Sequence, residues 1–129
     1  MTTIHWTLTL GLQEGYHTRQ QEVPALSQIG SVYQEIAEEL YQETNIYISA
    51  SLFPAHTLYR TEWGCPDGGE ETVVLMGCCN PAFAHPKGYE AVLRKLAERL
   101  KKRFHQRTIL LEILSAQGIY FTDDGEGRV

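Results

Sequence analysis

The sequence predicts an α+β fold, a four-stranded antiparallel sheet with two helices on one face. Three observations predict it. Two segments carry apolar residues at helical spacing and four carry strand character, in the order β-α-β-β-α-β. The stretch "TVVLMGCC" (72–79) is apolar on both sides, as a strand in the middle of a sheet must be. Finally, 129 residues at 43% hydrophobic composition make one domain with a sizeable core.

From Ile4 to Leu12 apolar residues recur at every second position: Ile4, Trp6, Leu8, Leu10 and Leu12. That is the pattern of a half-buried strand. A polar connection with one Gly and one Pro follows. A helix is predicted from about Ser27 to Glu43, burying Ile29, Val32, Tyr33, Ile36, Leu40 and Tyr41, with Glu35, Glu38, Glu39 and Glu43 on the far side. Asn45 can end it. "IYISASLF" (46–53) alternates as a second strand; Pro54 removes a ladder donor, so a bulge or an edge position is expected there, with "AHTLYRTEW" continuing beyond it. "GCPDGGEE" is the clearest turn, and the two-sided strand 72–79 comes after it.

Pro86 suits the start of a second helix, Lys87 to Gln106, whose stripe is Tyr89, Val92, Leu93, Leu96, Leu100 and Phe104. "TILLEILSAQ" (108–117) reads as the fourth strand, and "GIYF" extends it or adds a short fifth. Residues 122–129 read as a flexible acidic, Gly-rich tail. The whole of 1–129 is thus one domain with the ferredoxin-like split βαβ arrangement. Right-handed crossovers put strands one and three in the centre and two and four at the edges.

No apolar run reaches the roughly 18 residues of a membrane span, and the N-terminus lacks the marks of a secretory signal. An odd number of cysteines, Cys65, Cys78 and Cys79, favours free thiols in a reducing cytoplasm. Adjacent Cys78 and Cys79 point to opposite faces of a strand and cannot easily share one ion, so they read as the end of a core strand. Cys65, in the Gly/Pro turn, is the thiol expected at the surface. The five histidines show no metal-ligand spacing, and neither a metal site nor a cofactor is expected.

The net charge of −5 argues against a protein devoted to nucleic acid. Eight of the 11 Lys and Arg residues, however, lie between Lys87 and Arg107, opposed there by only Glu90 and Glu98. Arg94, Lys101, Lys102 and Arg103 are the residues expected to meet an acidic partner or nucleic acid; pairing with the acidic first helix would account for part of this charge. The third strand lacks the stacking aromatics of an RRM. No nucleophile elbow is present, and Thr2 stands where a tautomerase of related architecture has proline.

With Ile4, Trp6, Leu8 and Leu10 facing the helices, His5, Thr7 and Thr9 face the other way. They are joined by Leu110, Glu112 and Leu114 and by Tyr47, Ser49, Ser51 and Phe53. So apolar a bare face calls for cover, and a second copy of the chain, a homodimer through the open sheet, is the expected partner. The reading drawn from these features is a self-associating binding or assembly module. The alternatives are a small-molecule enzyme, isomerase-like or monooxygenase-like in its proton transfer, and an accessory protein using the basic helix. The enzyme would hold a small apolar ligand between the sheets, with Glu112 and His5 as the titratable pair and Tyr47 or Tyr59 as phenol donor.

Overall fold

The computed structural model describes residues 2–12 and 24–128. The connection 13–23, with His17, lies outside them. Alternation over the first residues gives β1 (Thr2–Gly11), whose Trp6, Leu8 and Leu10 are completely buried. The helical stripe that follows gives α1 (Leu26–Thr44), burying Ile29, Tyr33, Ile36, Ala37 and Leu40. At its start the Gln28 side chain reaches back to accept from the Ala25 N–H at 3.0 Å. At its end Asn45 takes the left-handed conformation at φ 62°, as a C-cap residue should.

The second strand begins later than the sequence suggests. Residues 46–50 run extended without ladder pairing because Ile48 is pulled into the core, its carbonyl accepting from the Tyr33 hydroxyl at 2.6 Å. The paired strand β2 spans Ser51–Thr57 and carries Pro54 inside it, opposite Val73. This is tolerated because β2 is an edge, where a missing N–H can face outward. A single turn of 3-10 helix, Thr61–Trp63, and the positive-φ glycines Gly64, Gly68 and Gly69 then reverse the chain. After them come β3 (Glu70–Cys78), α2 (Pro86–Arg103) and β4 (Leu110–Gln117). Pro86 opens α2 as expected, next to His85, whose Nδ1 accepts from the Lys87 N–H.

The sheet is antiparallel throughout, in the order β2-β3-β1-β4, with strands one and three central. Both helices cover the same face. Trp6, Leu8 and Leu10 meet Val73 and Leu75 of β3 and the stripes of α1 and α2, with Leu111 and Ile113 of β4 packed at the margin. The ferredoxin-like arrangement read from the sequence is the one observed. "GIYF" supplies a short separate strand, β5 (Ile119–Thr122), which pairs with β6 (Gly125–Arg128) in a two-stranded sheet of its own; β6 lies in the segment expected to be a tail. Among the described residues no helix is long and apolar enough to cross a membrane.

The basic helix meets the acidic one. Arg99 pairs with Glu43 at 2.7 Å and Glu39 at 3.7 Å, and Arg103 with Glu35 at 3.3 Å. Much of the charge asymmetry is thus internal, although Arg94, Lys101 and Lys102 have no ion pair among the described residues. Cys65 corrects its expectation. It is buried, because the turn folds back over the end of β2 so that the Tyr59 N–H donates to its Sγ. Cys78 is instead the exposed thiol, while Cys79 is fully buried.

Candidate active site

Register fixes what stands beside what on the open face. Crossing the sheet from β2 to β4, one row reads Ser51, Met76, Thr7 and Glu112, and the next reads Phe53, Val74, Thr9 and Leu110. Beyond these, Thr72 lies between Ala55 and Gly11, and Glu70 pairs with Thr57. The face is as apolar as the alternation implies: Phe53, Leu110 and Leu114 are all large and exposed.

At the Glu70 end the sheet surface and the segment entering β4 enclose a cleft of about 320 Å³. Its floor is Thr9, Thr57 and Thr72, and its walls include Glu70, Arg107 and Leu110. The Thr57 and Thr72 hydroxyls bond each other at 2.9 Å, and Thr72 is buried. Burial also pushes the Glu70 carboxyl above its ordinary pKa. Among the described residues neither Glu70 nor Arg107 has an ion pair. A carboxylate and a guanidinium of opposite sign therefore stand unspent in one cleft, beside hydroxyls able to donate or accept.

The residues expected at a site are only partly brought together. His5 pairs with Leu114 and Glu112 with Thr7, so His5 and Glu112 are diagonal neighbours on the open face, and no hydrogen bond joins them. Glu112 stands two residues along β4 from Leu110 and is not among the residues that line the cleft. Tyr47 lies elsewhere, edge-on to Tyr41 at 6.3 Å and on the same cavity wall as Cys78. Tyr59 lies past the end of β2 with Cys65. One catalytic constellation of all four does not form. Among the described residues no cluster of three His, Cys, Asp or Glu side chains could hold a metal ion.

The sequence reading does not single out Glu70, and it takes Arg107 only as part of the basic helix. Glu70 sits in "DGGEE", which reads as a turn, and Arg107 reads as the end of a basic helix. The usable signal is parity, since Glu70 shares its face with Thr72, Val74 and Met76.

Two solved structures share this fold. One is a phage SAM lyase in complex with S-methyl-5'-thioadenosine, at 16% identity over 87% of this chain and 80% of that one, with a TM-score of 0.60. The other is a phage SAM lyase in the apo state, at 15% identity over 88% and 81%, also with a TM-score of 0.60. No curated protein matches the sequence. The sequence model of the SAM lyase family matches residues 1–122, which takes in both helices and the whole four-stranded sheet. These findings overturn the expectation of a non-catalytic binding or assembly module. That expectation arose because the open face is apolar and the polar groups beside it come from separated strand ends that form no local motif. From nearly its full length, this chain belongs to the SAM lyase family.

Proposed function

We propose that the protein cleaves the carbon–sulfur bond of S-adenosylmethionine, releasing methylthioadenosine, and that the cleft between Glu70 and Arg107 holds the reacting end of the substrate. The observation that carries this reading is the family match over residues 1–122, taken with that cleft. The amino-acid end of S-adenosylmethionine carries a sulfonium, an ammonium and a carboxylate. A carboxylate and a guanidinium that line one cleft, neither ion-paired among the described residues, are complementary to that pattern. Glu70 would face the cationic groups and Arg107 the carboxylate, with the Thr57 and Thr72 hydroxyls orienting what lies between.

The chemistry needs no partner molecule. The substrate carboxylate attacks the γ-carbon that bears sulfur; a C–O bond forms as the C–S bond breaks. The electron pair leaves on sulfur, which becomes a neutral thioether. The remaining four carbons close as a five-membered lactone that keeps its ammonium, so atoms, charge and protons balance. Positive and negative charge annihilate in this step, so a drier, less polar surrounding accelerates it. The enzyme's task is then to fold the substrate back on itself and exclude water.

That requirement gives the apolar open face a role. A second copy of the chain laid over Phe53, Leu110 and Leu114 would dry the cleft, and self-association through this face is part of the proposal. The three unpaired cysteines support a reducing, cytoplasmic setting.

The test is to incubate the purified protein with S-adenosylmethionine, following methylthioadenosine by chromatography and the co-product by mass spectrometry. Methylthioadenosine and an aminolactone above the uncatalysed background, both lowered about 10²-fold in Glu70→Gln, are expected. Unsaturated amino acid instead of lactone would replace ring closure by elimination. Background rates alone would end the lyase reading.

A further inference from the structure

A larger cavity lies at the opposite end of the sheet. It has a volume of about 560 Å³ and is bounded by the end of α1, the extended segment before β2, and the chain between β3 and α2. Thr72 and Cys78 are six residues apart on β3, so this cavity and the Glu70 cleft are separated by about 20 Å along the strand.

Its walls are aromatic. Tyr41 and Tyr47 stand on one side and Phe83 on another, all three exposed and Phe83 the most. Its polar groups are amides and hydroxyls with bonding capacity left over. The Asn80 Oδ1 accepts from the Ala82 N–H at 3.0 Å, leaving the amide NH₂ uncommitted, and the Asn45 side chain has no hydrogen bond among the described residues. At the floor Tyr89 is 3% exposed. Its oxygen accepts from the Trp6 Nε1 at 2.7 Å, but its own proton meets no acceptor among the described residues. Burial pushes that phenol up to about 12, so it keeps the proton at any physiological pH. The Tyr89 oxygen is satisfied by Trp6, and its O–H, with no acceptor among the described residues, is a donor that a molecule in a cavity of ligand size could use. Among the described residues no charged side chain lines the cavity.

We propose that this cavity is a second binding site, distinct from the Glu70 cleft, for an uncharged purine nucleoside. Flat aromatic walls suit a base, side-chain amides suit the donor and acceptor edge of a purine, and hydroxyls suit a ribose. With no cation among the described lining residues a nucleotide phosphate is disfavoured, and with no anion among them a sulfonium is. The site therefore selects neutral nucleosides from both nucleotides and S-adenosylmethionine. It does not rest on the lyase reading.

The test is calorimetric titration with adenosine and with AMP, in the native chain and in a Glu70→Gln background, with the Phe83 and Tyr47 variants telling this cavity from the cleft. Saturable adenosine binding is expected in both, with AMP at least tenfold weaker. Phe83→Ala and Tyr47→Ala, both at solvent-accessible positions and so compatible with folding, should each weaken adenosine about tenfold. Unchanged circular dichroism would show the fold intact. Absence of saturable binding, equal binding of AMP, or binding indifferent to both aromatic substitutions would overturn the proposal. A failure to turn over S-adenosylmethionine would leave this binding as it stands, so the two readings fail separately.

Discussion

Gly77 shows how much a single residue can carry. A Cβ there would lie 2.6 Å from the Ser49 carbonyl oxygen and 2.8 Å from the Trp6 Nε1. Neither can retreat, since Trp6 is fully buried and bonded to Tyr89, and Ser49 belongs to the backbone beside β3. Gly77→Ala is expected to cost about 1–3 kcal/mol, measured by urea unfolding. An unchanged midpoint would mean the segment before β2 is free to shift. Glu70 behaves in the opposite way. Its carboxyl is raised by burial, so in the pH range between its unfolded and folded pKa the native state holds more protons than the unfolded one, and stability falls as pH rises. Glu70→Gln removes that penalty and is expected to leave stability at neutral pH equal or higher. The same change should lower turnover of S-adenosylmethionine by about 10²-fold. Turnover by the native chain should rise with pH through the Glu70 pKa, above the ordinary 4.5, because the sulfonium needs the ionised form. A substitution that stabilises while it inactivates separates a functional carboxylate from a structural one.

Elements were the most legible scale. Each helix was readable because its buried positions fall at spacings of three and four, and the predicted stripes of α1 and α2 hold nearly every helical residue of the core. Strands β1 and β4 were readable by parity, and β3 by an apolar run on both faces bounded by a turn. Residues 46–50 were misread as ladder because Tyr47, Ile48 and Ser49 alternate like a strand, while their backbone bonds the Tyr33 hydroxyl instead of a neighbouring strand. The cleft was less legible for a related reason. Glu70, Thr57 and Arg107 come from three separate strand ends and loops, and only the sheet register brings them together. Helix pairing yields a prediction at this scale. Arg99 is the hub joining α2 to Glu39 and Glu43 of α1, but its side chain is one-third exposed and the acids half exposed or more. Arg99→Ala should therefore cost no more than about 1 kcal/mol, less at high salt, with turnover unchanged. A larger, salt-independent loss would show that the stem of Arg99, not its charge, holds the helices together.

At the scale of the whole molecule the two faces of the sheet are unequal. One is sealed by both helices, whereas the other shows Phe53, Leu110 and Leu114 to solvent, each at least 45% exposed, around a cleft whose proposed chemistry runs faster without water. Association through that face would answer both the exposed apolar surface and the need for a dry site. Light scattering behind a sizing column at low and high salt is then expected to give a multiple of the 14.6 kDa chain mass at both, because apolar contact is not weakened by salt. Phe53→Asp and Leu114→Asp each place a charge in the contact without touching the helix-facing core. Either should return the chain to monomer mass with its circular dichroism unchanged and lower turnover of S-adenosylmethionine in step. The order of loss is informative. Monomers that keep full turnover would confine the active site to one chain and leave the apolar face unexplained by catalysis. A native chain that is monomeric at both salt concentrations would end the covered-face idea, and the cleft would have to exclude water with its own residues.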